Sequence, residues 1–189
     1  VLYQTGWFTC VLGAAWGFQW LGIGIALSLL GIHSWLAKDR RSQFKLIVVA
    51  IVIGLIVDTS QLWTGVYVFP NGTVIRGLPP PFMAVLWMQF ATTLRYCMGW
   101  LSKRYLLSAF FGMIGAPLAF FAGEQFGAIE FLAPRWLHFL LLGALWSGCI
   151  PFLVYVSDNL SRKADPAPGY RWPFTSTESF RQRRSSPNP

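Results

Sequence analysis

Charge is scarce in this sequence. Asp, Glu, Lys and Arg make up only 12% of its 189 residues, and just seven of them are acidic. Soluble domains carry about 25% charged residues. The scarcity is also concentrated, because residues 5–37 contain none of the four types. With 54% hydrophobic residues, such a chain cannot build an ordinary water-facing surface. The pattern makes lipid the expected solvent for most of it.

Catalytic and metal signatures are missing as well. No HExxH, GxSxG, P-loop or dinucleotide glycine fingerprint occurs. His33 and Asp39 stand six apart and miss the four-residue gap of glycerolipid acyltransferases. Cys10, Cys97 and Cys149 all fall in apolar segments with no CxxC or Cys/His spacing. They read as small packing residues, so neither a metal nor another cofactor is expected, and the reading leans away from an enzyme. Nothing basic precedes the first apolar run, so no cleavable signal is expected. The formal charge of +8 does not indicate nucleic acid, because the basic residues flank apolar runs.

What is present is a series of apolar segments. Residues 5–37 as one helix would measure about 50 Å against a hydrocarbon core of about 30 Å. Two short spans joined near Gly17–Gly22 fit better, with one tilted helix as the alternative. The expected architecture is all-α: a transmembrane bundle of six spans, alternatively five, over about 3–17, 20–37, 46–66, 82–101, 105–123 and 136–156. Asn71-Gly72 signals a turn or small hairpin between the third and fourth. Pro117 and Pro151 are expected to kink the last two spans. Residues 158–189 read as a basic, Pro/Ser-rich disordered tail drawn to anionic headgroups. With six spans and both termini cytoplasmic, twelve basic residues lie inside and two, Arg76 and Arg135, outside.

The polar residues within spans are the candidate site. Asp58 lies about 18 Å from the cytoplasmic end of the third span, and Arg95 about 12 Å from that of the fourth. An unpaired charge at such depth costs at least a few kcal/mol, which favours pairing. Asp58, Gln61, Gln89 and Arg95 then line a polar pocket for an ion, a proton or a headgroup. Alternatively Asp58 and Arg95 form a buried pair that fixes helix register, or Arg95 snorkels to the headgroups. Glu124 is a possible outer-face polar group. His33 and His138 are expected at opposite membrane faces. Gly13 with Gly17, and the rows containing Gly112 and Gly115–Ala119–Gly123, are expected to let helices approach closely.

Four stretches occur in a telling order: YQTGWFTCVLGAAWG, LIVDTSQLWTGVYVFP, PPPFMAVLWMQFATTL and GMIGAPLAFFAGEQFGAI. Together they resemble the bacterial membrane proteins grouped as domain of unknown function 2878, over about residues 3–156. The chain departs from that pattern just after Thr93, where Arg95-Tyr96-Cys97 replaces a more polar run. The resemblance implies a multi-pass inner-membrane protein without an assigned activity or established catalytic residues. It also implies a genetic neighbourhood of cyclopropane-fatty-acid-synthase-like and other lipid-modifying proteins. The leading expectation is therefore an accessory or binding protein in membrane-lipid modification or envelope stress. Its expected partners are membrane lipids and lipid-modifying enzymes. A proton-coupled transporter using Asp58 and an intramembrane lipid enzyme are the alternatives.

Overall fold

The structure is a computed structural model, and it describes residues 2–37 and 39–164. Six helices account for most of them: α1 (Leu2–Ala15), α2 (Gln19–Leu36), α3 (Arg40–Trp63), α4 (Pro81–Tyr96), α5 (Tyr105–Gln125) and α6 (Arg135–Ala164). Two-residue strands β1 (Tyr67–Val68) and β2 (Glu130–Phe131) pair antiparallel, with Tyr67 opposite Phe131.

The breaks between helices follow from local chemistry. Residues 5–37 form two helices, as expected. Gly17 adopts φ 80° and ends α1, a conformation glycine reaches without strain. Asp39 caps α3 by accepting the Ser42 N–H at 3.1 Å. Pro81 opens α4, where its missing N–H goes unneeded. The Cys97 and Met98 N–H groups both return to the Thr93 carbonyl and close it. A single 3₁₀ turn over Gly99–Leu101 then replaces the expected continuation to residue 101. At the other extreme, α6 runs on to Ala164, so residues 158–164 are helical where a tail was expected. The rest of that tail, 165–189, lies outside the described residues. Both α5 and α6 continue unbroken through Pro117 and Pro151.

The helices alternate in direction, which gives the bundle two distinct ends. At the sheet end, Asn71 Nδ2 donates to the Ala14 carbonyl at 2.6 Å and the Ala15 carbonyl at 3.1 Å, capping α1 from a distant loop. The Trp63 indole N–H reaches the Gly77 carbonyl at 2.8 Å. No hairpin forms around Asn71; the 67–68 strand pairs instead with the α5–α6 connection. At the opposite end, the Ser42 hydroxyl donates to the Leu160 carbonyl and the Lys103 N–H to Asp158. This basic end carries Arg40, Arg41, Lys103 and Arg104.

Four helices, α2, α3, α5 and α6, are long and apolar enough to cross a membrane. With 14 and 16 residues, α1 and α4 reach only about 21 and 24 Å. The short α4 is the hub of the bundle: it packs on α1, α2, α3 and α6 and buries most of its side chains. The outer faces are as apolar as the interior, with Trp35, Ile56, Leu106, Leu118 and Leu140 all exposed. A belt of this kind is what hydrocarbon surroundings permit and water does not.

Candidate functional site

The four candidate residues of α3 and α4 do not gather into one pocket. Asp58 is 1% exposed and meets no cation among the described residues. Its Oδ2 accepts the Trp87 indole N–H at 2.8 Å, and its Oδ1 accepts the Tyr67 hydroxyl at 3.3 Å. Both donors are themselves buried. One turn earlier on α3, Gly54 leaves room for the Trp87 ring, since a Cβ there would collide with it. The carboxyl therefore joins α3, the β1 strand and α4 through a neutral pair of donors.

Arg95 pairs elsewhere. Its Nη2 donates to Asp39 Oδ2 at 2.9 Å, with both side chains mostly covered. The expected Asp58–Arg95 pair is thus replaced by two separate arrangements. The physical reason is the antiparallel register of α3 and α4: Trp87 lies opposite Asp58, so Arg95, about 12 Å farther along α4, comes beside the α3 N-cap. The Ser42 side chain foremost, with the Ser42 N–H and the Arg95 guanidinium, holds the Asp39 carboxyl down at about 2, while partial burial acts the other way.

Gln61 and Gln89 are each 4% exposed, and neither amide has a hydrogen-bond partner among the described residues. Gln89 packs against Gly6 of α1 and lines a pocket with His33. Glu124 closes the sheet end: it accepts the Phe131 N–H at 3.2 Å and pairs with Arg135. His138 lies at that same end, with its Nδ1 at 3.0 Å from the Leu132 carbonyl. His33 lies toward the basic end, its ring edge-on to Tyr96 at 4.8 Å. Among the described residues, no three His, Cys, Asp or Glu side chains gather as a metal site.

One cavity is almost wholly apolar. A cleft of about 270 Å³ opens between α1, α4, α5 and α6. Trp87 and Trp146, stacked at 4.7 Å with 14° between their planes, form part of its wall. The hydrogen bond to Asp58 holds one of these two rings in place. The small residues of α5 divide by role. Gly112 meets the Trp146 carbonyl so closely that no Cβ would fit, which gives the close α5–α6 approach that was expected. Gly115, Ala119 and Gly123 instead line the cleft, and a Cβ on Gly115 would have no neighbour within 4 Å. Gly17 meets no helix either; Gly13 alone of that pair contacts α2, at Gly22.

Sequence reasoning missed Trp87, Tyr67 and Asp39. Each left a signal. Trp87 is a tryptophan in mid-span, where the interface would be its ordinary place. Asp39 precedes Ser42 by three at a helix start. Tyr67 follows the end of an apolar run, where an interface would be its ordinary place, and only the β1–β2 pairing turns it inward.

A family model described as "Protein of unknown function (DUF2878)" matches residues 1–152. It is the family that the order of the four stretches pointed to. No curated protein and no solved structure matches the chain.

Proposed function

The chain belongs to the family described as protein of unknown function DUF2878, and on that premise we propose that it is a multi-pass protein of the bacterial inner membrane that binds a membrane lipid. In this reading all six helices lie within the bilayer, α1 and α4 being completed by their neighbours. The basic end and both chain termini face the cytoplasm. The concentration of Arg40, Arg41, Lys103 and Arg104 at one end supports that orientation. The protein acts as an accessory or binding component in membrane-lipid modification, and its basic C-terminal residues engage anionic headgroups.

The observation that carries the reading is the apolar cleft between α1, α4, α5 and α6. Its volume, about 270 Å³, lies at the lower edge of the roughly 300–1,000 Å³ of small-molecule sites. Its walls offer almost only hydrocarbon and aromatic surface, which suits an acyl chain. Proton-coupled transport has less support. Asp58 lines none of the cavities described, and it is enclosed by Trp87 and Tyr67. An intramembrane enzyme would need a second ionisable group beside Asp58, but Glu124 is engaged with Arg135.

Occlusion tests the proposal. Native mass spectrometry of the purified full chain should find one lipid retained per protein. Gly115→Phe, placed where the cleft is empty, should release it while leaving the protein folded. Equal retention by the variant and the wild type refutes the cleft as the binding site.

A further inference from the structure

A second cavity adjoins the apolar cleft and differs from it in chemistry. It measures about 260 Å³ and lies between α1, α2 and α4. Gln89 lines it with both amide atoms buried and unpartnered, and His33 lines it with a buried, unpartnered Nε2. These two side chains come from different helices. Buried polar groups are ordinarily satisfied, so a cluster of unsatisfied ones calls for an explanation. The hydroxyls of Thr92 and Thr93 in the wall donate to the Gln89 and Phe90 carbonyls, leaving only lone pairs to offer. Among the described residues, no Asp, Glu, Lys or Arg lines the pocket. Arg95, although close in sequence, is held by Asp39 and lines a different cavity. Tyr3 lines both this pocket and the apolar cleft, so the two adjoin at its side chain.

We propose that the Gln89–His33 pocket binds the hydroxyl head of an uncharged lipid whose acyl chain passes Tyr3 into the apolar cleft. A primary amide offers both a donor and an acceptor. A hydroxyl both donates and accepts, and so satisfies both. A carbonyl-only head satisfies Nε2 and leaves Oε1 unpaired. A phosphate head brings a charge to a pocket where no Lys or Arg among the described residues meets it. His33 Nε2 supplies a second contact in either tautomer. This inference rests on the lipid-binding reading of the cleft and adds the class of head.

The experiment uses the full chain in phosphatidylcholine nanodiscs. These are doped in turn with diacylglycerol, triacylglycerol or phosphatidic acid, each carrying the same photoactivatable acyl chain. Labelled peptides are mapped by mass spectrometry. Diacylglycerol should label the cleft at least several-fold more strongly than the other two. Gln89→Leu should reduce its labelling about tenfold, as the loss of two hydrogen bonds implies. Labelling of the Gly115–Gly123 wall by a phosphatidylcholine probe should stay the same. Equal labelling by the three dopants in the wild-type protein overturns the proposed head class, and this comparison needs no variant. An unchanged diacylglycerol signal in a folded Gln89→Leu protein overturns the assignment to this pocket. Either result leaves the cleft itself as a lipid site. If no probe labels the cleft, the lipid-binding reading and this inference fall together.

Discussion

Asp58 sits between two donors in the bundle interior, and its replacement separates a hydrogen-bonding role from a charge-carrying one. Asp58→Ala leaves the Trp87 N–H and the Tyr67 O–H buried and unpaired. Each orphaned donor costs about 1–3 kcal/mol, so the variant should lose about 2–6 kcal/mol. Asp58→Asn behaves differently. Its carbonyl oxygen can accept from Trp87, and its NH₂ can donate to Tyr67, whose hydroxyl also accepts. The Asn variant should therefore lose only about 1–3 kcal/mol, the cost of the single Tyr67 proton left without an acceptor, against two orphaned donors in the Ala variant. Thermal unfolding of the detergent-solubilised protein measures the difference. For a chain of this size about 2–4 °C accompanies each kcal/mol, which puts the Ala variant on the order of 10 °C below wild type. A cycle pairing Asp58→Ala with Trp87→Phe should show coupling of about 1 kcal/mol or more, because the phenylalanine leaves no donor to strand. The reasoning fails if Asp58→Asn is as unstable as Asp58→Ala. That result would mean the charge, rather than its two donors, holds the site together.

Three further outcomes follow from the same geometry. Asp39→Ala should destabilise by about 1–2 kcal/mol through the lost cap and ion pair, and a cycle with Arg95→Met should show about 0.5–1 kcal/mol of coupling; additive losses in thermal melts would contradict the pair. The Asp39 contribution should be complete above its unfolded value near 3.8 and vanish as pH falls through about 2, so wild type and Asp39→Asn should converge in stability over that window. Gly112→Ala should destabilise by about 1–3 kcal/mol because its Cβ meets the Trp146 carbonyl, whereas Gly115→Ala, with open space around it, should be neutral in the same melt.

Hydropathy carries the all-α class, because long apolar runs with few charges satisfy their own backbone best as helices. The division of residues 5–37 was readable from length and from Gly17. The alternation of basic loops is likewise linear information. Boundaries were less legible. The sequence alone places no break between Arg95 and Leu101, and it does not fix the α3–α4 register that brings Arg95 to Asp39. The small-residue rows on α5 show the same limit. Gly112 and Gly115 look alike in sequence, yet one meets α6 and the other faces a cleft, since helix phase becomes meaningful only against actual neighbours.

The sequence by itself therefore determined the apolar, all-helical character of the chain and its family, since each depends on composition or on order along the chain. The tertiary structure decided which polar groups meet. A pair of Asp58 with Arg95 was one of the arrangements the sequence left open, since opposite charges at similar depth on consecutive helices attract. The fold satisfies both locally instead: Asp58 through an indole and a phenol brought from α4 and β1, and Arg95 through a helix cap. A buried polar atom takes the partner that packing brings within hydrogen-bonding distance, and that is a property of three dimensions.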